Sequence, residues 1–443
     1  MISPERQYEV VVTSRLHKRA ESNSLAGAVI TWAGESAINQ ARALDTLAAR
    51  GEALPNLAGL IMSVKANVDV TGWTTSAGSR VLEDEPAAKN DAPLVAALRR
   101  SGAIFLAQTN MVEFAYGALG QNSSFGTPRT PVYPDEIRLT GGSSSGAAVT
   151  VAVGLVDAAI GTDTSGSVRI PAAFCGVAGF KPTQGRYSDK GIVPLAPSLD
   201  TAGFLAPSIA VCDRLDAAIT ARDYDARPPA PVKGMRFVVP RAFIEQHSAP
   251  TVANAFDRAL AKLTALGASV EDKDMAYLDD IGELARQGGI VSAEAFVWHE
   301  PYISTRAILY DSRIGPRIAA GANIRAVDYI RACENINELR ARYNSDIAGF
   351  TAQLMPTAPV EPPLLSVIAN DELYLQVNMQ VLKFTEFANR INVPSLSIPI
   401  GGPTVAIGLM ANGRRGEDAE LLMIGRQIEG SLGLAESLGG TGQ

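Results

Sequence analysis

Residues 93–107 read PLVAALRRSGAIFLA, and their order decides the class of fold. Pro93–Arg100 reads as a helix, Ser101 and Gly102 stop it, and AIFLA (103–107) follows as a short apolar strand suited to burial. Upstream, LAGLIMSV (57–64) is another short apolar run of β-compatible residues. Downstream, the same order recurs over 250–270. There Val252, Phe256, Leu260 and Leu263, spaced four, four and three apart, share one helix face before Gly267 stops the helix and ASV begins a strand. Strands alternating with helices predict an α/β layered fold around a largely buried sheet.

Away from this pattern the composition changes. Residues 140–185 are rich in Gly, Ser, Thr and Ala and carry almost no charge, a composition that favours backbone packed on backbone. RDYDARPPAPVKG (222–234) turns from polar to Pro-rich before the strand-like MRFVVP, as a linker or a surface excursion does. We expect a single domain over 1–443, with an excursion or subdomain at 222–355 after the Pro-rich residues 228–231. The last third predicts a long helix over 324–347, with Tyr329, Cys333 and Ile336 on one face. A short strand in AQLMPTAP, another helix and a strand pair at SLSIPI and TVAIGLMA follow. No internal repeat is visible, and the Gly-rich end after Leu438 is expected to fray.

Bulk properties narrow the function. A 443-residue chain with 47% hydrophobic and 19% charged residues is not disordered as a whole. With 39 basic against 46 acidic residues, the net charge of −7 argues against a broad nucleic-acid footprint. Cys175, Cys212 and Cys333 are odd in number and far apart, which excludes a disulfide framework and suits a reducing compartment. The start MISPERQYEV lacks the pattern of a signal peptide, and residues 147–156 are too short a run to cross a bilayer. A soluble, cytoplasmic protein without membrane contact is the expectation. His17, His247 and His299 are the only histidines, and without His-x-x-x-His or Cys-x-x-Cys spacing no His/Cys zinc site is expected. A carboxylate-only magnesium site stays open.

Three places break a local rule. Lys65 lies in the apolar run IMSVKANVDV; buried there, its amine would lose its proton readily and act as a base, whereas strand alternation could equally aim it at solvent. GGSSSG (141–146) is a Gly-rich turn before a helix, a phosphate-cradle candidate, but Ala147 and Ala148 stand where a Walker loop needs Lys and Ser/Thr. Residues 142–146 also fit Gly-x-Ser-x-Gly with Ser144 central, a nucleophile elbow that would need His247 or His299 as base. GTDTSGSVRIP (161–171) follows a small-residue strand with a tight turn able to aim several N–H groups at one point and to present Ser167 there.

In combination these residues resemble the amidase signature family, serine amidohydrolases with a Ser-cisSer-Lys triad. The resemblance rests on Lys65, then GGSSSG, then GTDTSGSVRIPAAFCGVAGFKPT, with Ser143 and Ser167 twenty-four positions apart. It extends to QTNMVEFAYGALGQNSSFGTPRTP, PLAPSLDTAGFLA, EFANRINVPSLSIPIGG and VAIGLM, and so runs from about Leu57 to Ile428, more weakly over 200–355. It implies a three-layer α/β/α architecture with a large mixed, mostly buried central sheet. It implies Ser167 as nucleophile, Ser143 as bridging serine in a cis peptide, Lys65 as base, and the N–H groups of Thr164, Ser165, Gly166 and Ser167 as oxyanion hole. Ser165 departs from the Gly found there in many members and would be strained if that position needs a positive φ.

Around the triad, Asp163 and Arg169 are expected to brace the turn as an ion pair, with Arg169 as a substrate-carboxylate ligand the alternative. Ser144 is expected to support the loop and Cys175 to fill core. Met111, Phe114, Tyr116, Gly117, Asn122 and Tyr302, with the 298–313 segment, are expected to form the substrate pocket; Arg306 and Arg313 are either anion ligands or solvated. The function expected is amide C–N hydrolysis of a small-molecule substrate through a serine acyl-enzyme, with no metal or cofactor. A homodimer or a small accessory subunit is compatible. The alternatives are a glutamine amidotransferase A-subunit with partner subunits and a Ser-His-Asp esterase.

Overall fold

The computed structural model describes residues 7–18 and 25–434, so the fraying expected beyond Leu438 lies outside the described residues. Eleven strands form one mixed sheet in the order β1-β3-β2-β4-β6-β5-β10-β11-β9-β7-β8. They are β1 (Val29–Trp32), β2 (Ile61–Lys65), β3 (Ile104–Thr109), β4 (Ala158–Asp163), β5 (Ala178–Lys181), β6 (Thr201–Ala206), β7 (Arg236–Val239), β8 (Ser269–Asp272), β9 (Ala352–Pro356), β10 (Ser395–Pro399) and β11 (Gly408–Asn412). β2 runs parallel to β3 and β4, and β7 parallel to β8 and β9, while the other pairings are antiparallel.

The pleat of β3 shows how the layers arise. Successive side chains point to opposite faces of a strand. Ile104 and Leu106 join a core with Ala37, Ala41 and Leu44 of helix Glu35–Ala49 and Val149 and Val151 of helix Ser145–Ala152. Phe105 joins the opposite core with Leu94, Val95 and Leu98 of helix Pro93–Arg100 and Leu215 of helix Ile209–Thr220. Both faces are therefore covered by helices, the α/β/α sandwich expected.

Several boundaries move. The run at 57–64 becomes a strand only from Ile61, because Gly59 adopts φ 80° and the Leu60 N–H turns back to the Leu57 carbonyl at 3.0 Å. Lys65 thus ends the strand. Pro250–Ala265 forms the expected helix, and Gly267 leaves it at φ 95°. The long helix expected at 324–347 spans Ala326–Asp346. β7, β8 and β9, all between 236 and 356, belong to the same sheet as the first strands. Among the described residues no helix is long and apolar enough to cross a membrane.

Candidate active site

Parallel strands gather their carboxyl ends along one edge of a sheet, where loops leave room for a ligand. β2 and β4 end together at such an edge, and their last residues are Lys65 and Asp163. Lys65 is fully buried, with its Nζ 2.8 Å from Ser143 Oγ, 2.7 Å from Thr162 Oγ1 and 3.3 Å from Thr162 O. Burial pushes its amine down to about 7, against the opposing pull of Asp163 and Asp200. An amine tuned in this way is partly neutral at physiological pH and can take up a proton.

The Gly141–Gly142 turn delivers Ser143 to that amine. The Gly142–Ser143 peptide is cis, the Gly142 N–H donates to Ala118 O at 2.7 Å, and Ser143 O accepts from Val112 N at 3.1 Å. A Cβ on Gly142 would lie 2.7 Å from the Gly120 nitrogen, so no larger residue fits. Ser144 ties this loop to β4: its hydroxyl donates to Thr162 O at 3.2 Å and accepts from Thr162 N at 3.3 Å, while its own N–H donates to Ser167 O at 3.1 Å. Ser144 is thus fully engaged within the scaffold, and the elbow with Ser144 as nucleophile is set aside.

The turn after β4 is held from inside. Asp163 Oδ1 accepts from Gly166 N at 2.7 Å, and Oδ2 accepts from Val168 N at 3.0 Å. Arg169, itself fully buried, donates to both oxygens (Nη2 to Oδ1 at 3.0 Å, Nε to Oδ2 at 3.1 Å). Although burial alone would raise it, the Arg169 charge and hydrogen bonds hold the Asp163 carboxyl well below the usual carboxylate range. The remaining Arg169 donors go to Thr385 O at 3.0 Å and Asn389 Oδ1 at 2.6 Å, so the guanidinium is turned into the protein and the brace is the arrangement seen. Asn389 completes it, donating to Asp163 O at 3.0 Å and Oδ1 at 2.9 Å.

Two details revise the oxyanion turn. Because the Gly166 N–H is bound to Asp163, it is drawn into the brace, and Thr164, Ser165 and Ser167 remain as candidate donors to a substrate. Gly166 has φ 134°, and a Cβ there would lie 2.2 Å from Thr385 Oγ1, so the need for glycine falls at 166. Ser165 is not among the residues with positive φ and carries no such strain; its carbonyl accepts from Thr385 Oγ1 at 2.6 Å.

Ser167, Ser165 and Thr164 line a cavity of about 740 Å³, a size suited to a small organic molecule. Of the expected pocket residues, Tyr116 and Gly117 also line it. Met111, Phe114, Asn122 and Tyr302 are not among its lining residues, a correction with a physical cause in each case. Met111 and Asn122 are buried and bonded to each other, Asn122 Nδ2 donating to Met111 O at 2.8 Å and to Gly78 O at 2.7 Å. Phe114 packs its ring 4.2 Å from His299 and 5.4 Å from Tyr310, and Tyr302 stacks 5.1 Å from Trp298. Phe114 keeps a positive φ of 49°, a conformation that surrounding packing must hold. Arg306 binds Val81 O, and Arg313 pairs with Asp371, Gln121 and Ile368 O, so both are structural.

Other side chains stand in their place. Arg317 lines the cavity, donates to Tyr116 O at 3.0 Å and lies over the Tyr116 ring at 4.1 Å. It has no carboxylate partner among the described residues. Lys383, Glu386 and Arg390, just beyond the helix Asp371–Leu382, also line it. Nothing local marks Arg317 in the sequence. Thr385 precedes and Asn389 lies within EFANRINVP, a segment legible as family-like but without a signal of its role.

The histidines sit elsewhere in the chemistry. His299 is buried, its Nδ1 2.8 Å from Tyr310 Oη, and burial pushes it down to about 4. His247 lines the cavity, but its Nε2 faces Asp279 Oδ1 at 2.7 Å, beside Lys383. His17 is exposed and Cys175 is buried in core. Among the described residues no group of three or more His, Cys, Asp or Glu is placed to hold a metal ion.

Comparison with known proteins gives a consistent result. A family model described as Amidase matches residues 11–422. A 2-amino-5-chloromuconic acid deaminase from Comamonas testosteroni is 34% identical, covering 92% of this chain and 89% of its own. The A-subunit of a glutamyl-tRNA(Gln) amidotransferase from Moorella thermoacetica is 32% identical over 91% of this chain and 89% of its own. A solved amidase crystal structure superposes with a TM-score of 0.86 at 31% identity, covering 96% of both chains.

Proposed function

The chain belongs to the amidase family and is an amide-hydrolysing enzyme, and from that premise we propose that it works through an acyl-enzyme on Ser167 with Ser143 and Lys65 as its proton relay. The observation that carries this reading is the buried Lys65 amine 2.8 Å from Ser143 Oγ. Neutral Lys65 takes the Ser143 proton as Ser143 takes that of Ser167, and Ser167 Oγ adds to the amide carbonyl carbon. N–H groups of Thr164, Ser165 and Ser167 stabilise the resulting oxyanion, each well-placed donor contributing roughly 3 kcal/mol. The relay then returns the proton to the leaving nitrogen, the C–N bond breaks, and ammonia or an amine departs. Water, deprotonated through the same relay, hydrolyses the ester to the free acid.

Arg317 narrows the substrate. A guanidinium at a cavity wall with one N–H given to a carbonyl and no carboxylate partner among the described residues suits an anionic group on the substrate. We propose an amide that also bears a carboxylate. That a 34% identical relative is named for an acid supports this choice.

The test is a panel of short aliphatic, aryl-acetic, half-amide, ureido and glutamine amides offered to the isolated chain, with mass spectrometry of the adduct. An acyl group on Ser167 from a carboxylated amide is expected. Turnover of glutamine only in the presence of partner subunits would favour the amidotransferase reading instead. Loss of activity in His247→Gln or His299→Gln would favour the esterase.

A further inference from the structure

Beside the reaction cavity, Asp200 is a carboxylate that neither the relay nor the brace uses. Asp200 stands immediately before β6, and its two oxygens grip two separate loops. Oδ1 accepts the Thr164 hydroxyl at 2.5 Å; Oδ2 accepts the N–H groups of Leu195 at 2.8 Å and Ala196 at 3.0 Å. Thr164 and Leu195 both line the reaction cavity, and both also line a second cavity of about 330 Å³ on the Asp200 side. One carboxylate therefore holds the partition between the two spaces.

We infer that Asp200 is a positioning residue for the hydrolysis, fixing Thr164 at the head of the oxyanion turn and placing negative charge behind Lys65. This rests on the roles proposed for the turn and for Lys65. Oxyanion donors accelerate a reaction only when their direction is set beforehand. Asp163 sets the far half of the turn through Gly166 and Val168, and Asp200 sets the near half through Thr164. A hydroxyl given to a carboxylate is a strong, short hydrogen bond, well suited to this task.

The two carboxylates differ in their partners. Asp163 has Arg169, whereas Asp200 makes no ion pair among the described residues, and burial pushes it up to about 6. The groups around it are Lys65, Thr164 and the two loop N–H groups, with Asp189, Lys190, Asn67 and Thr162 lining the same second cavity. Lys65 in turn faces Asp163 and Asp200, and each raises its proton affinity.

The test is kcat and KM against pH for wild type, Asp200→Asn, Thr164→Val and Thr164→Ser on one amide. In wild type, kcat/KM should fall below about pH 7 as Lys65 protonates, and more steeply below about pH 6 as Asp200 does. Asp200→Asn should lower kcat about 10- to 100-fold with little change in KM. Its acid limb should move to lower pH, since Lys65 loses a charge that favours its protonated form, and should lose the second, steeper section. Thr164→Val should lower kcat and move the steeper, Asp200 section of the limb to higher pH, since the Thr164 hydroxyl helps to hold that carboxyl down, and Thr164→Ser should restore both. Wild-type kcat and limb in Asp200→Asn, or a loss confined to KM, overturns the inference. Should Asp200→Asn fold poorly, unchanged kcat in a folded Thr164→Val overturns it equally. If Ser167→Ala or Lys65→Ala stays active, the underlying mechanism has failed instead.

Discussion

The turn at 163–169 and the segments at 111–122 and 298–313 both carry the sequence marks of a substrate site, and they differ in what their residues have to do. In the turn, small polar residues expose backbone N–H groups while Asp163, Arg169 and Asn389 saturate one another beneath it. In the other segments, large side chains pack on each other, with Phe114 against His299, Trp298 and Tyr310. Burying an aromatic ring removes much apolar surface from water, so a cluster of rings forms core wherever partners exist. A Gly/Ser turn at a strand end offers little to pack, and its pattern therefore reports chemistry more directly than an aromatic run does.

The strongest way to break this contrast is at its centre. Ser167→Ala should lower kcat by about 10⁴-fold or more, as loss of a covalent nucleophile does. Thermal stability should stay near wild type, since the hydroxyl faces the cavity. A variant retaining appreciable turnover with no acyl adduct would remove the turn from the chemistry.

Lys65→Ala should follow at about 10³- to 10⁴-fold. In wild type, only the neutral amine is competent, so activity rises with pH through about 7 and levels off on the alkaline side. A rate that peaks in acid would contradict the base. Chelators should leave the rate unchanged.

Arg317→Gln sharpens the other side of the comparison. Losing a charge-assisted pair of about 1.5–3 kcal/mol should raise KM for carboxylated amides roughly 10- to 100-fold. Neutral amides of the same length should be unaffected. Equal losses on both would mean that the cavity is merely distorted through Tyr116.

How much of this was legible follows from the same physics. The helix–strand order at 93–109 and 250–272 was readable because burial imposes periods of 3.6 and 2 on local sequence. Lys65 and Ser167 stood out as chemical candidates because a lysine in an apolar run and a serine closing a Gly-rich turn break the local packing rule. Ser143 was marked only by the family resemblance, its loop by itself reading as a phosphate cradle or an elbow centred on Ser144. The bounds of β2 were not readable, since Gly59 settles them through a turn. Arg317 and the Thr385–Asn389 brace were hidden for another reason: they reach the site across more than 150 residues of chain, through contacts that no local pattern records. Tyr116 and Tyr302 look alike in sequence, each an aromatic expected to wall the pocket, and only tertiary packing puts the first on the cavity and the second against Trp298.

That pair supplies the smallest expected effect. Tyr302 is half-buried, stacked on Trp298 and 5.9 Å from the Arg306 guanidinium, away from the cavity lining. Tyr302→Ala should therefore change kcat/KM by no more than about twofold, within the range of substitutions remote from a site. Tyr116→Ala, by contrast, removes the platform under Arg317 and the 2.6 Å contact to Ser292 Oγ, and should reorder preference among the amide panel. If Tyr302→Ala reorders the panel while Tyr116→Ala does not, the substrate occupies the aromatic cluster after all, and the distinction between packing rings and a reactive turn no longer holds.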